Sequence, residues 1–147
     1  MSMNFERIIY NNLNARQKEA FNFQKVSAVL ADYGFATIRL SSDWRGADFI
    51  AQHFDGMMFL KVQLKSRLTF AKKYLRRDLH VCFPSNDEWF LYPHDELLEK
   101  VLSTHIAGTE SWDQKDEYSF PRIPDKLRAV LHPYRLIAEQ ARGMAVT

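Results

Sequence analysis

The sequence predicts a single α/β domain, and three observations support that class. The chain has 147 residues, 46% of them hydrophobic, which is close to the commonest domain size and enough for a hydrophobic core. Near the N-terminus an apolar stripe recurs at helical spacing, and runs with strand-like alternation follow it. Because no internal repeat, low-complexity tract or linker interrupts the chain, we expect residues 1–147 to form one domain.

The first element is predicted to be a helix over residues 15–33. Asn14, with Gln17 three residues later, forms a capping-box pattern, and Gly34 is a natural stop. Apolar side chains at helical spacing form one stripe along it: Phe23, Val26, Leu30 and Tyr33. Extended one turn back, the stripe reaches Glu19. This carboxylate is of interest if a cation lies beneath it, and is otherwise an ordinary solvent-facing residue.

A hairpin is the most informative part of the sequence. Three strands are predicted in succession, with a polar loop at residues 41–45 after the first: residues 35–40, 47–54 and 57–66. The dipeptide Asp55-Gly56 separates the second and third strands, and it suits a two-residue type I′ turn. These two strands are therefore expected to pair antiparallel.

The turn determines the register of the hairpin. With this dipeptide as the loop, or with a four-residue loop centred on it, the residue numbers of each cross-strand pair add to 111, so Asp48 lies opposite Gln63. Directly opposed residues share a face, with Cβ atoms ~4.5–5.5 Å apart. Period two adds Lys61 and Lys65 to that face, while the alternate positions are apolar.

The rest of the chain has less regular patterns. Its predicted elements are, in order, a basic loop or short helix at residues 69–77, strands at 79–83 and 89–92, a helix at 96–103, and short helices at 124–131 and 136–142. Asp95 is the predicted N-cap of the helix at 96–103. Residues 104–121 have no clear period, so we expect a long loop there.

Charge is unevenly distributed, although 20 Lys and Arg against 18 Asp and Glu leave a formal net charge of only +2. Residues 61–77 carry seven basic side chains and no acidic ones, whereas residues 78–117 carry ten acidic and two basic ones. Clustered cations suit a polyphosphate partner, because counterion release rewards local charge; a solvated basic face is the alternative. We expect a nucleic acid to lie along residues 61–77, away from the acidic segment.

Redox and targeting signals favour an intracellular, cytoplasmic protein. The single cysteine, Cys82, excludes an internal disulfide and lies in an apolar run typical of a buried thiol. The N-terminus lacks the apolar region of a signal peptide, and no apolar stretch approaches the ~18 residues of a membrane span. No membrane segment is expected.

The acid, amide and lysine of the hairpin suit phosphodiester hydrolysis with a divalent cation. Carboxylate and carbonyl oxygens hold Mg²⁺, and a phosphate can complete its shell. A lysine beside it can position and deprotonate the attacking water or offset transition-state charge. Here the cation would contact Asp48, the Gln63 side-chain oxygen and the Leu64 main-chain carbonyl, with Lys65 next to them.

These residues resemble a known family. Residues 46–51 (GADFIA) and 59–66 (FLKVQLKS) are similar to the motif of the PD-(D/E)XK nuclease superfamily. The resemblance is closest to a branch with Gln at the second acid, which includes a group I intron homing endonuclease, and extends more distantly to archaeal Holliday-junction resolvases. It implies a restriction-endonuclease-like fold, a mixed central sheet flanked by helices, over about residues 15–103. Residues 104–147 would be an extension of unknown role.

The resemblance also implies a role for each site residue. Asp48 matches the metal-binding acid, Gln63 the D/E position and Lys65 the lysine, and Glu19 is a candidate for the helix carboxylate that many members add. Three features depart from the family pattern. Ala47 replaces the namesake proline, Gln63 removes one negative charge, and Glu19 lies about one helical turn early.

The implied function is a Mg²⁺- or Mn²⁺-dependent endonuclease that hydrolyses DNA, with a homodimer to cut both strands. Seven residues are candidates for nucleic-acid contact: Lys61, Arg67, Lys72, Lys73, Tyr74, Arg76 and Arg77. Two alternatives stay open, a catalytically inactive member that binds nucleic acid and a protein-interaction module that uses the acidic residues 78–117. No sequence-reading motif is present, so base specificity is not predicted.

Overall fold

The computed structural model describes residues 4–44 and 46–137. Its helices and strands are, in chain order, α1 Ala15–Asp32, β1 Phe35–Trp44, β2 Ala47–His53, β3 Phe59–Leu64, β4 Thr69–Ala71, β5 Leu79–Ser85, β6 Glu88–Pro93, α2 His94–Val101, α3 Glu110–Lys115, β7 Glu117–Ser119, α4 Asp125–Leu131 and β8 Arg135–Leu136. A 3-10 turn, Lys72–Tyr74, follows β4, and a π-helical turn, Leu102–Ile106, follows α2.

Helix α1 begins at the predicted residue and ends within one residue of the predicted position. The Asn14 side chain accepts a hydrogen bond from the Gln17 N–H at 2.8 Å, and the Gln17 side chain accepts one from the Asn14 N–H at 3.0 Å. This capping box satisfies two amides that have no partner within the helix. Gly34 follows with a φ of +87°, a conformation that favours glycine. Val26 and Leu30 of the predicted stripe are fully buried.

Six strands form one mixed sheet in the order β1-β2-β3-β5-β6-β8. The β3–β5 pair is parallel and the other neighbours are antiparallel. The predicted class, α/β with a mixed central sheet flanked by helices, is confirmed. The order of helix, strand, hairpin, two strands and helix is consistent with a restriction-endonuclease-like fold. A second, two-stranded sheet pairs β4 with β7.

Hydrophobic cores cover both faces of the large sheet. On one face α1 packs against five buried residues of the strands: Phe49, Ala51, Val62, Cys82 and Trp89. On the other face α2, α4 and the small sheet enclose a core that includes Val81, Phe83 and Tyr92. Burial of apolar surface at about 25 cal/mol per Å² makes these two layers the main source of stability.

The hairpin keeps its predicted register although its turn is wider than two residues. The His53 N–H donates to the Met58 carbonyl at 2.9 Å, so residues 54–57 form the loop. The Asp55 carboxylate accepts the Met57 N–H at 2.8 Å and stabilises this turn. Because the loop widens symmetrically about the predicted dipeptide, the facing residues do not change.

Strand β1 is longer than predicted. It extends to Trp44, so the expected polar loop is wrong for residues 41–44, while Arg45 lies outside the described residues. The pairing of β1 with β2 shifts register between Arg39 and Trp44. Such an irregularity is common on an edge strand, where one side has no neighbour to match.

A loop or short helix was predicted at residues 69–77, but residues 69–71 form a strand, and only the 3-10 turn that follows agrees with the prediction. Strand β4 pairs antiparallel with β7, with Phe70 opposite Tyr118. This pairing also corrects the predicted long loop at residues 104–121, which contains a π-helical turn, α3 and β7. Both strands have only three residues, so neither shows a period that could be detected in the sequence.

Two predicted helices also differ from the structure. Helix α2 begins at His94, and its N-cap is Pro93, so Asp95 is not the N-cap. The Asp95 carboxylate instead contacts His94 Nδ1 at 2.8 Å and accepts the Arg76 N–H at 2.9 Å. The predicted helix at 136–142 is wrong at Leu136, which belongs to β8, and residues 138–142 lie outside the described residues.

Candidate functional site

The hairpin holds Asp48 beside Gln63. Four consecutive pairs of β2 and β3 have the predicted register, and the next pair after Phe49–Val62 places Asp48 opposite Gln63. Asp48 Oδ2 also accepts a hydrogen bond from the Leu64 N–H at 2.8 Å. The carboxylate is therefore held against the end of β3 by a main-chain donor.

Gln63 carries a polar atom that has no partner. The residue is only 9% exposed, and its Oε1 is buried without a hydrogen bond. Leaving a buried acceptor unsatisfied costs about 1–3 kcal/mol, so such atoms usually have a structural or functional explanation. A cation bound beside Asp48 would supply the missing partner.

The main-chain carbonyl of Leu64 faces the same region. In an extended strand the N–H and C=O of one residue point to the same side, and the Leu64 N–H points to Asp48. The next residue points to the other neighbour, because the Lys65 N–H donates to the Cys82 carbonyl of β5 at 2.8 Å. Side-chain and main-chain oxygens thus lie together at one end of the hairpin.

A cleft of about 400 Å³ brings the predicted site together. It lies between α1 and the ends of β2 and β3. All five residues predicted for catalysis or metal binding line it: Glu19, Asp48, Gln63, Leu64 and Lys65. Residues far apart in sequence therefore share one concave surface, which is a common setting for binding and catalysis.

Lys65 makes two contacts in the cleft with residues outside the hairpin. Its Nζ lies 4.0 Å from Glu117 Oε1 and 5.8 Å from the centroid of the Tyr74 ring. A carboxylate and the face of an aromatic ring both attract a cation. Glu117 belongs to β7, so the C-terminal extension contributes to the surroundings of the site.

Glu19 has a cation beside it, which is the condition under which its place on the apolar stripe of α1 is of interest. Its Oε1 lies 3.4 Å from Arg39 Nη2, and both side chains are about half exposed. An exposed pair of this kind contributes at most about 1 kcal/mol to stability. Glu19 therefore lies in the cleft as a weakly held carboxylate.

Three cations of this region were missed by the sequence analysis. Arg16 and Arg39 line an adjoining cleft of about 550 Å³, which shares Glu19 and Asp48 with the first cleft. Lys18 lines the first cleft itself. A signal was available, because Arg16 and Lys18 belong to the first turns of a helix whose N-terminus the capping box had located.

The donors of the cleft suit a divalent cation that is shared with a phosphate. Among residues 4–44 and 46–137, no group of three or more His, Cys, Asp or Glu side chains could hold a metal ion. Asp48 and Glu19 are the carboxylates of the cleft, and Gln63 and Leu64 add neutral oxygens. Mg²⁺ is commonly bound through one or two carboxylates while it retains waters and contacts substrate phosphate.

The basic residues predicted to contact nucleic acid differ in their surroundings. Four of them are exposed: Arg67, Lys73, Arg76 and Arg77. Lys61 donates to the Arg77 carbonyl at 2.6 Å. Lys72 lies 3.2 Å from Asp116 and 5.3 Å from the ring centroid of Trp112. The three exposed arginines form no ion pair with a described residue, whereas Lys73 lies over the ring of Tyr74.

Tyr74 is a core residue, which corrects its predicted role at the nucleic-acid surface. It is 2% exposed. The Nζ atoms of Lys65 and Lys73 lie 5.8 and 5.4 Å from its ring centroid. The aromatic ring therefore supports two lysines from below and does not reach a ligand itself.

The end of the acidic segment folds back onto the basic one, so the two segments are not separate in the fold. The pairing of β4 with β7 places the two segments side by side. As a result Glu117 faces Lys65 at 4.0 Å and Asp116 faces Lys72 at 3.2 Å. A polyanion that followed the basic segment would meet carboxylates beside the site.

Known proteins show limited similarity to this chain. No protein-family model matches it, and no curated protein matches it. It is similar to a solved structure of Hjc, a Holliday junction resolvase from the archaeal hyperthermophile Archaeoglobus fulgidus, with 17% sequence identity and a TM-score of 0.40. The match covers 50% of this chain and 76% of that one. A likeness of this size assigns no function.

None of the helices in residues 4–44 and 46–137 is long and apolar enough to cross a bilayer.

Proposed function

We propose that the protein is a nuclease that hydrolyses DNA phosphodiester bonds with Mg²⁺ or Mn²⁺ in the cleft between α1 and the β2–β3 hairpin. The observation that carries the proposal is the buried, unpartnered Oε1 of Gln63 beside the Asp48 carboxylate. These two oxygens and the Leu64 carbonyl would hold the cation. A homodimer would supply two such sites, one for each strand of a duplex.

The residues of the cleft would divide the chemistry between them. A bound divalent cation would polarise the scissile phosphate and lower the pKa of a bound water. Lys65, between Glu117 and the Tyr74 ring, would orient the attacking water or offset the negative charge that develops in the transition state. Glu19 would add a second carboxylate on the helix side of the cleft.

The test is cleavage of supercoiled plasmid by the purified chain with Mg²⁺ or Mn²⁺, compared with EDTA. We expect nicking or cutting only with a divalent cation. Asp48→Ala and Lys65→Ala are expected to lower the rate at least 100-fold, as the loss of a metal ligand or an electrostatic stabiliser does. Circular dichroism would verify that both variants keep the wild-type fold.

Matched controls for these variants are Asp113→Ala and Lys115→Ala, which remove an exposed acid and an exposed lysine of α3 outside the cleft. Both should cut at the wild-type rate. Cleavage in EDTA, or full activity in Asp48→Ala, would contradict the proposal.

A second candidate function is binding of nucleic acid without cleavage. Two observations favour it. Gln63 stands where the motif has an acid, so the site has one negative charge fewer to hold a metal ion. The described part of the chain also has no cluster of three or more His, Cys, Asp or Glu side chains that could hold a metal ion. Salt-sensitive DNA binding, with no cut under either metal on linear, supercoiled or branched DNA, would replace the nuclease proposal with this one.

The acidic segment is a weaker candidate, as a protein-interaction surface. Several of its carboxylates are engaged within the chain: Glu88 with Arg135, Asp95 with His94, Asp116 with Lys72 and Glu117 with Lys65. A complete lack of salt-sensitive DNA binding would leave this function as the remaining one.

A further inference from the structure

A third cleft adjoins the candidate site on the side of the C-terminal extension. It measures about 420 Å³ and lies between the residues after β3, the β5–β6 turn and the segment before α4. Ser66 lines both this cleft and the one that contains Asp48. A chain-like ligand could therefore continue from one cleft into the other.

The third cleft is basic. Its charged lining residues are Arg67, Arg122 and Arg128, and no carboxylate lines it. Arg67 and Arg122 are exposed, and neither forms an ion pair with a described residue. Arg128 Nε lies 3.2 Å from Asp125 Oδ1, but those side chains are 59% and 98% exposed, so water screens the pair. We call this surface the arginine groove.

The arginines of the extension are held on a fixed scaffold. Leu127 and Leu131 of α4 are 3% and 2% exposed and belong to the same core as the large sheet. The Phe120 N–H donates to the Leu68 carbonyl at 2.9 Å, which ties the segment before α4 to the residues after β3. The main-chain positions from which these arginines project are thus set by packing.

We infer that the arginine groove binds the phosphodiester backbone of the DNA whose scissile phosphate lies in the Asp48 cleft. The inference rests on the proposed function, and it gives residues 104–137 a role in holding the substrate. Guanidinium groups suit this task because they can donate two hydrogen bonds to one phosphate. Contacts of this kind position a nucleic acid without reading its sequence.

The experiment measures binding of the full chain to a duplex DNA in EDTA over a range of salt concentrations. Arg122→Gln combined with Arg128→Gln should weaken binding about tenfold or more at moderate salt. The slope of log K against log salt should decrease by about 2, because each lost phosphate contact contributes about 0.9. Asp125→Asn should have the opposite effect and tighten binding, since it removes the carboxylate that pairs with Arg128.

The matched control is Lys126→Gln combined with Lys115→Gln, which makes the same change in net charge at exposed positions outside the groove. Its affinity should stay within about twofold of wild type. An unchanged affinity and slope in the arginine variant, or an equal loss in the control, would overturn the inference.

Failure of the groove can be distinguished from failure of the proposed function. An increase in the thermal unfolding midpoint on addition of Mg²⁺ reports binding of the cation in the Asp48 cleft. The variant with Arg122→Gln and Arg128→Gln should retain this increase. If wild type shows neither this rise nor cleavage while the arginine variant still loses DNA affinity, the nuclease proposal fails and the groove stands. If the rise and cleavage are present but DNA affinity does not depend on Arg122 and Arg128, the groove fails alone.

Discussion

Gln63 shows how a single residue can lower stability where it prepares a binding site. The residue lies opposite Asp48 on the polar face of the hairpin, yet it is only 9% exposed. Its amide oxygen is buried without a partner. Replacing an unsatisfied polar group with an apolar one of similar shape is neutral or stabilising.

The first prediction follows from this contrast. Gln63→Met should raise the free energy of unfolding in EDTA by about 1–2 kcal/mol, because the unsatisfied oxygen is removed. The same change should abolish the increase in stability that Mg²⁺ gives to the wild-type protein, because binding to the folded state alone is what stabilises it. Urea unfolding with and without Mg²⁺ measures both effects.

Gln52→Met is the control for this variant. Gln52 lies on the same face of the same hairpin, near its turn, and pairs with Phe59. Its replacement should leave the Mg²⁺ effect intact. A Gln63→Met protein that is still stabilised by Mg²⁺ would exclude Gln63 as a ligand.

At the scale of elements, the short strand β4 is held by two buried side chains from the junction of β6 and α2. The Tyr92 hydroxyl donates to the Thr69 carbonyl at 2.6 Å and accepts the Thr69 N–H at 3.2 Å. His94 Nε2 accepts the Ala71 N–H at 3.1 Å. Because Nε2 is an acceptor, a neutral His94 carries its proton on Nδ1, which faces Asp95.

The second prediction is a loss of stability in acid. Burial lowers the pKa of His94, and the nearby Asp95 only partly offsets this. As pH falls below about 6.5, the unfolded chain binds a proton that the folded chain does not, so the free energy of unfolding decreases by up to about 1.4 kcal/mol per pH unit. Burial also lowers the pKa of His80, which adds an effect of the same sign.

Unfolding measured at pH 7.5 and 5.5 would test this prediction. His94→Gln retains an acceptor for the Ala71 N–H and should reduce the difference between the two pH values, whereas replacement of the exposed His132 should not. An unchanged pH dependence in His94→Gln would show that His94 does not cause the loss.

Elements with strong local signals could be predicted from the sequence. The capping box at Asn14 located the start of α1, and Asp55-Gly56 located the hairpin. The register tolerated an error in turn width because widening a loop evenly on both sides leaves the facing residues unchanged. The set of Asp48, Gln63 and Lys65 followed from that register.

Other features depended on contacts between distant segments. The pairing of β4 with β7 joins strands of three residues whose sequences show no period, so local patterns could not reveal it. Tyr74 lies among basic residues in the sequence, but its ring is covered by the core beneath them. Asp95 resembled an N-cap because the competing contact, the main chain of Arg76, is far away in sequence.

For the whole molecule, the arrangement of charge differs from its order along the chain. The segment with seven basic residues lies against part of the segment with ten acidic ones, through the pairs Lys65–Glu117 and Lys72–Asp116. This lowers the positive potential next to the site. A DNA path over Lys18 of the first cleft and the arginine groove would pass cations that form no ion pair with these two carboxylates.

The third prediction tests whether these carboxylates restrain binding. Asp116→Asn combined with Glu117→Gln should tighten DNA binding and steepen its salt dependence by about 2 in slope, because Lys65 and Lys72 become free to contact phosphates. Asn is also well suited to the left-handed conformation at position 116, where φ is +65°. Binding in EDTA would be measured as a function of salt.

Glu110→Gln combined with Asp113→Asn provides the control, since it changes the net charge equally on α3 without a partner lysine in the described part of the chain. A smaller gain is expected there. If both variants gained the same affinity, the effect would come from net charge and not from the two pairs.

The burial of Cys82 makes the chain its own reporter of opening between α1 and the sheet. The sole thiol is fully buried on β5, its pKa is raised by that burial, and the main chain of the same residue accepts the Lys65 N–H. The thiol lies in the core between α1 and the sheet, so a thiol-specific reagent can react only when this layer opens. The labelling rate therefore measures how often the packing of α1 on the sheet opens, without introducing a probe.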